Sequence, residues 1–265
     1  MADEELNVIS LGAGVQSTVM ALMAARGELE PMPCAAIFAD TKFEPQNVYK
    51  HLDFLKTQLP FPVHQVSEGN LKEDTLRGKN STGQDFAVIP FYTAEGMGRR
   101  QCTQEYKLKP IRKKLRELLG LKKGQHAKGH SVRMWIGIST DEAMRMKPSR
   151  DSFVENTWPL IDQGMSRQDC LRWFEREYPG RRLTKSACVA CPFHSYGDWR
   201  EMKQNDTASF AEAVLFDRDI RFKGKKEEQF VHRSCQPLDE VDFRNLEDLG
   251  QMNMFNNECE GMCGV

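Results

Sequence analysis

The sequence contains no apolar run long enough to cross a bilayer, which excludes a membrane-spanning helix and a membrane partner. Its first residues, MADEELNV, are acidic and lack the apolar core of a secretion signal, so a cytoplasmic chain is expected. A dominant charge is also missing. The 37 Lys and Arg residues face 38 Asp and Glu, leaving a formal net charge of −1, so bulk charge selects no partner. There is no internal repeat and no linker of domain scale. Finally, the Gly-bearing turn after the first strand-like run has no Lys to close it, which excludes the common Walker-type P-loop.

What is present is ordinary in bulk and specific in detail. The chain has 265 residues, 40% of them hydrophobic and 28% charged, which suits one large α/β domain or one domain with a small appendage. Eight cysteines stand at positions 34, 102, 170, 188, 191, 235, 259 and 263. In a cytosolic chain such a number points to metal or redox chemistry before disulfides. Charge is concentrated locally: 107–128, KLKPIRKKLRELLGLKKGQHAK, is strongly basic and could follow a nucleic-acid backbone. Its Ile111, Leu115, Leu118 and Leu119 equally describe a helix with one buried stripe and a solvated basic face.

Hydrophobic patterning gives strands at 7–11, 34–40, 62–66 and 132–139, and helices at 15–26, 45–59 and 166–178, the last with Ser166 as N-cap. DWREMKQND and ASFAEAVLFDRDIRF also read as helices. The β-α-β-α-β order of the first third predicts an α/β fold, a doubly wound, mostly parallel sheet with helices on both faces, followed by a cysteine-bearing C-terminal region. Residues 67–100 read as irregular, a candidate lid.

Five short stretches carry chemistry. In SLGAGVQSTVMAL, residues Ser10, Gly12, Gly14, Gln16, Ser17 and Thr18 join a strand to a helix. Small residues there let backbone N–H groups and hydroxyls meet an anion at the helix N-terminus. In FADTKFE, Asp40 and Thr41 end a strand, where a carboxylate can hold a ribose hydroxyl or a metal, or simply cap a helix. RRQCTQEYKLKPI sets Arg100, Cys102 and Lys107 near one turn, as an anion site beside a thiol or as a solvated basic turn with a buried Cys. GISTDEAMR places Asp141, Glu142 and Arg145 after a strand, with Asp141 and Arg145 spaced to pair on a helix. CVACP pairs Cys188 with Cys191 as half of a metal or cluster site, or as a redox dithiol.

These five segments, in this order, resemble the sulfonucleotide reductase branch of the PP-loop, or adenine-nucleotide α-hydrolase, superfamily. SLGAGVQSTVMAL resembles the pyrophosphate loop S-F-S-G-G-K-D-S-T-V, and FADTKFE resembles D-T-G-x-E. RRQCTQEYKLKPI resembles C-[CT]-x-x-x-K-x-x-P, and GISTDEAMR resembles G-x-R-x-x-E-S-x-x-R. WPLI with the later CVACPF resembles the closing W-P-L and C-x-x-C-P. The chain departs from that pattern with Val15-Gln16 at the usual Lys-Asp, Cys102-Thr103 at the double cysteine, and Ser139 where Arg is common. The resemblance implies a PP-loop nucleotide-binding part at 1–160 and a helical, cysteine-rich region at 161–265 packed on it as one unit.

It also implies roles. Ser10, Gly12, Gly14, Gln16, Ser17, Thr18, Asp40 and Thr41 would bind nucleotide, and Arg100, Lys107, Glu142 and Arg145 would act in catalysis. Cys102, Cys188 and Cys191 would hold a [4Fe-4S] cluster, with Cys263, Cys259 or Cys235 as fourth ligand. Cys259, after Glu258, is alternatively the catalytic nucleophile of a reductase. Three activities follow. The first is a PAPS reductase-like ATP pyrophosphatase, using ATP and Mg²⁺ to adenylate an acceptor such as nucleic acid for sulfur incorporation, as in DNA phosphorothioation and tRNA thiolation systems. A cysteine desulfurase is its candidate sulfur-donor partner. The second is a thiol-dependent APS/PAPS reductase releasing sulfite, with thioredoxin as candidate partner. The third is a nucleotide-binding module without turnover.

Overall fold

The computed structural model describes residues 5–80, 82–83, 89–183, 185–223 and 227–243. Five parallel strands form the sheet: β1 (Leu6–Ser10), β2 (Ala35–Ala39), β3 (Val63–Val66), β6 (Val132–Ile136) and β7 (Val154–Thr157), in the order β3-β2-β1-β6-β7. A separate antiparallel hairpin, β4 (Tyr92–Thr93) with β5 (Gly96–Met97), lies outside it. Both faces of the sheet are covered. The side chains of successive strand residues alternate between them, as the two-residue period of a strand requires. Ile9, Ala36, Phe38 and Trp135 enter one core with α1 (Val15–Ala25), α2 (Gln46–Gln58) and α6 (Arg167–Glu177). Val8, Ile37, Met134 and Ile136 enter the other with α4 (Lys109–Leu118). Helices on both faces and parallel pairing throughout confirm the α/β class expected from the sequence. Among the described residues, no helix is long and apolar enough to cross a membrane.

The chain runs outward from β1 through β2 to β3, then returns to the other side of β1 as β6. The carboxyl ends of β1 and β6 therefore flank the point where strand order reverses, the place where open α/β sheets form a crevice. A third apolar cluster lies beyond the sheet. There Phe43, Tyr106 and Cys188 pack with Trp199 of α7 (Tyr196–Asn205) and Phe216 of α8 (Thr207–Ile220). The short α5 (Pro159–Asp162) follows β7 directly.

One expectation is corrected, and one strand was not foreseen. The stretch 67–100 is not wholly irregular: α3 (Leu71–Arg77) forms within it, capped at its start by the Asn70 side chain on the Glu73 N–H and closed by Gly78 at φ 67°. The edge strand β7 has a half-polar VENT sequence, too short and too mixed to show a strand period.

Candidate functional site

The turn after β1 is built to leave donors available. Ala13 takes a left-handed φ of 57°, a conformation that costs a non-glycine residue roughly 1–2 kcal/mol and clusters at ligand-binding turns. Gly14 is the N-cap of α1, and no side chain caps that first turn. The positive end of an eleven-residue buried helix thus opens onto the crevice without a capping oxygen. The end of β6 presses against it. A Cβ on Gly137 would come within 2.6 Å of the Ser17 nitrogen and 2.8 Å of its Cα, so only glycine lets the strand end meet the helix here. Ser186 covers the other side, 3.4 Å from where a Cβ on Gly14 would be. Ser10, Gly12, Glu44, Lys107 and Ser186 line one small cavity over the turn.

Gln16 ties the turn to its surroundings. Its amide donates to Glu142 Oε2 at 3.0 Å and to Ser139 Oγ at 3.3 Å, and its carbonyl accepts from Arg167 at 3.2 Å. Glu142 in turn accepts from Arg145 Nη1 at 2.5 Å. Residues Thr140–Arg145 form a 3₁₀ helix, in which positions three apart eclipse. Arg145 therefore meets Glu142, and the expected Asp141–Arg145 pair does not form. Asp141 accepts the Arg167 backbone N–H instead. Arg145 is mostly buried, and its Nε and Nη2 have no hydrogen-bond partner. Buried donors are nearly always paired in native proteins, so two on one guanidinium call for an anion.

Other expected residues fall into distinct places. Lys107 is buried, its ammonium 3.9 Å from Glu44 Oε1, while Glu44 Oε2 has no partner. Asp40 does not cap a helix. It accepts the Lys42 N–H, the Tyr49 hydroxyl and the Gln65 amide, each at 2.8 Å, and pairs with the Lys42 ammonium at 2.7 Å. Although burial opposes its charge, these donors together hold its carboxyl below the ordinary range. Ser17 Oγ turns back to the Gly14 carbonyl at 3.4 Å, and Thr18 Oγ1 bonds His51 at 2.9 Å. Arg100 sets its guanidinium 5.0 Å over the Phe193 ring.

Among the cysteines, Cys188 is buried against Thr41 Oγ1 at 3.4 Å and Glu44 Oε1 at 3.5 Å. Burial first, and the Glu44 charge second, push its thiol up, while Lys107 opposes them. Cys102 and Cys191 pack against the same apolar cluster, and the Cys235 thiol turns to the Thr93 carbonyl at 3.6 Å. Among the described residues, no group of three or more His, Cys, Asp or Glu side chains is arranged to hold a metal. Cys102, Cys188 and Cys191 nevertheless share one packed region, and Cys102 and Cys188 are close enough to interact electrostatically. Cys259 and Cys263 lie outside the described residues.

Sequence reasoning missed Arg167 and Ser186. Arg167 opens a capped helix and Ser186 precedes CVAC, and neither carries a local signal. Their role appears only when the chain brings 167 and 186 back over residue 16 and residue 14.

No protein-family model and no curated protein matches the chain. Among solved structures it is similar to a phosphoadenylyl-sulfate (PAPS) reductase from Candida auris, determined as a phosphate complex. The likeness covers 68% of this chain and 74% of that one, at 12% identity and a TM-score of 0.43.

Proposed function

We propose that the protein is an ATP pyrophosphatase of the PP-loop type that adenylates an acceptor so that sulfur can replace oxygen. The observation that carries this reading is Arg145, with two unpartnered, buried donors joined through Glu142 and Gln16 to an uncapped helix N-terminus at the switch point of the sheet. That arrangement suits the pyrophosphate end of a nucleotide.

In this reading an acceptor oxygen attacks the α-phosphorus of ATP. The bond to the bridging oxygen breaks, and pyrophosphate leaves with the electron pair. The α1 N-terminus and Arg145 hold the departing charge, and Lys107 adds a cation at the cavity wall. Glu142, with one oxygen on Gln16 and the other on Arg145, positions those two groups and is not placed as a free base. Mg²⁺ arrives with ATP and, when bound, neutralises phosphate charge. Glu44 is the residue to hold it, since Oε2 is a buried acceptor with no partner. A sulfide-level nucleophile then displaces AMP. No step is routed through an iron–sulfur cluster.

Nucleic acid is the proposed acceptor. Much of the 107–128 segment is already engaged: Lys109 with Glu68 and Glu105, Arg112 with Asp151, and Lys114 with Glu117. Lys113, Lys122, Lys123 and Lys128 are exposed and in no ion pair among the described residues, and they supply the backbone contacts.

Chromatography of nucleotide products tests this. Anaerobic protein with ATP, Mg²⁺ and mixed nucleic acid should release AMP and pyrophosphate. Adenosine phosphate and sulfite formed from adenylyl sulfate or its 3′-phosphate with a thiol, and nothing from ATP, would replace this reading with a reductase. Tight ATP binding with no product in either assay would replace it with a binding module.

A further inference from the structure

A second pocket, of about 420 Å³, opens between the start of α2, residues Arg182, Leu183 and Lys185, and α7. The segment from Lys185 to Cys188 divides it from the cavity over the turn: Lys185 lines the pocket and Ser186 the cavity. Its walls mix polar and apolar surface in about equal measure, and among the described residues no Phe, Tyr or Trp lines it, so it offers no platform for stacking a nucleobase.

The floor holds acceptors. His194 is 4% exposed, and its Nε2 lies 3.0 Å from the Cys188 carbonyl. A carbonyl only accepts, so Nε2 carries the ring proton and Nδ1 is left as a bare acceptor. Nδ1 is buried and has no partner. Burial pushes the imidazole down to about 4, so the ring is neutral near pH 7. Asn47 Oδ1 is a second buried acceptor without a partner on the same pocket wall. Asp198 is occupied by Lys185 and by Ser195, so this internal pair leaves no net charge between them. Lys50 and Arg182 stand at the rim, exposed and in no ion pair among the described residues.

We infer that this pocket binds a small zwitterion of the α-amino acid class, its ammonium group donating to His194 Nδ1 and Asn47 Oδ1 and its carboxylate facing Lys50 and Arg182. An ammonium supplies three donors on one atom, enough for both orphaned acceptors, and an adjacent carboxylate needs the cations within reach of the same small molecule. A simple anion would leave the floor unpaired, and a simple amine would leave the rim unused. The proposal does not rest on the nucleotide reading, although Arg167, which lines the pocket, also donates to Gln16 in the turn.

The test is saturation-transfer NMR on the whole protein with a mixture of the standard L-amino acids, followed by calorimetric titration of the strongest binder. One equivalent should bind. Arg182→Gln, at an exposed position, should weaken it at least tenfold with the fold intact, and Asn47→Leu should do the same. Neither acetate nor ethylamine should compete at equal concentration. The ATP analogue AMPPNP should not displace the amino acid, because the 185–188 segment lies between the two sites. The inference is overturned if no amino acid gives a signal, if both variants bind as the parent does, if acetate competes as well as the amino acid, or if AMPPNP displaces it.

Discussion

Asp217–Arg221 at the end of α8 and Glu142–Arg145 in the 3₁₀ turn are matched in burial, each arginine side chain 11% exposed beside a carboxylate at 4% or less. They differ in how completely they are paired. Asp217 accepts the backbone N–H groups of Val231 and Leu238 as well as Arg221, and Arg221 sends Nε to the Gln229 carbonyl and lies 3.9 Å over the Phe230 ring. Glu142 is equally occupied, but Arg145 Nε and Nη2 have no partner among the described residues. The same pairing of acid and arginine makes a structural staple in one region and, in the other, the incompletely paired group that the proposed function assigns to an anion. The difference lies in what the arginine has left over, not in burial or charge.

Acid should break both regions together. His51 beneath the turn, His194 by the second pocket and His232 near α8 are all pushed down to about 4, chiefly by burial. Each binds its proton in the unfolded chain near pH 6.5 but in the folded chain only near 4. Their stabilisation is therefore complete above pH 6.5 and falls as pH drops towards 4. Each contributes up to about 1.4 kcal/mol per pH unit in that window, which denaturation series at several pH values would measure. A flat stability profile across it would mean the rings are not buried as described.

Asp217→Ala separates the two regions next. It leaves Arg221 buried without its partner and two N–H groups unpaired, and should lower unfolding free energy by about 3–5 kcal/mol. The protein that stays folded should bind nucleotide as the parent does. Gly137→Ala acts at the other pole. Its methyl group collides with Ser17 backbone, costing roughly 1–3 kcal/mol in stability, and moves the α1 N-terminus, so nucleotide affinity by calorimetry should fall by about two orders of magnitude, a loss of close to 3 kcal/mol. Arg145→Lys is the gentlest change and the sharpest test. It keeps a cation for Glu142 but gives up the guanidinium fork. Affinity should fall about tenfold, near 1.4 kcal/mol, with no resolvable shift in melting temperature. A melting shift without a loss of affinity would make Arg145 another Arg221.

The sheet was legible because β1, β2 and β6 are short apolar runs bounded by turn residues, and α1 and α6 follow them with clear helical periods. The α3 helix was not read: Asn70 and Gly78 bound it, but its seven residues, about two turns, hide among loop residues. The anion site was half legible. The small residues of 10–18 and the acid–arginine segment at 141–145 stand out in sequence, because they act through their own backbone and neighbours. The choice between Asp141 and Glu142 as partner of Arg145 depended on 3₁₀ rather than α geometry, which three residues of spacing cannot decide. Arg167, Ser186 and His194 could not be read, because their meaning comes from contacts made across more than 100 residues or, for His194, from the bond that one ring nitrogen makes and the other lacks.

Gln16 finally bears on the order in which the molecule is completed. Its three side-chain bonds reach 123, 126 and 151 residues along the chain. Contacts so distant in sequence are slow to close. An N-terminal fragment can pair β1 with β2 and β2 with β3 long before residue 167 has been synthesised, yet it cannot brace the turn. On the proposed reading, competence to hold an anion is thus a late event in the life of the nascent chain, and capture of nucleotide would report that folding has finished.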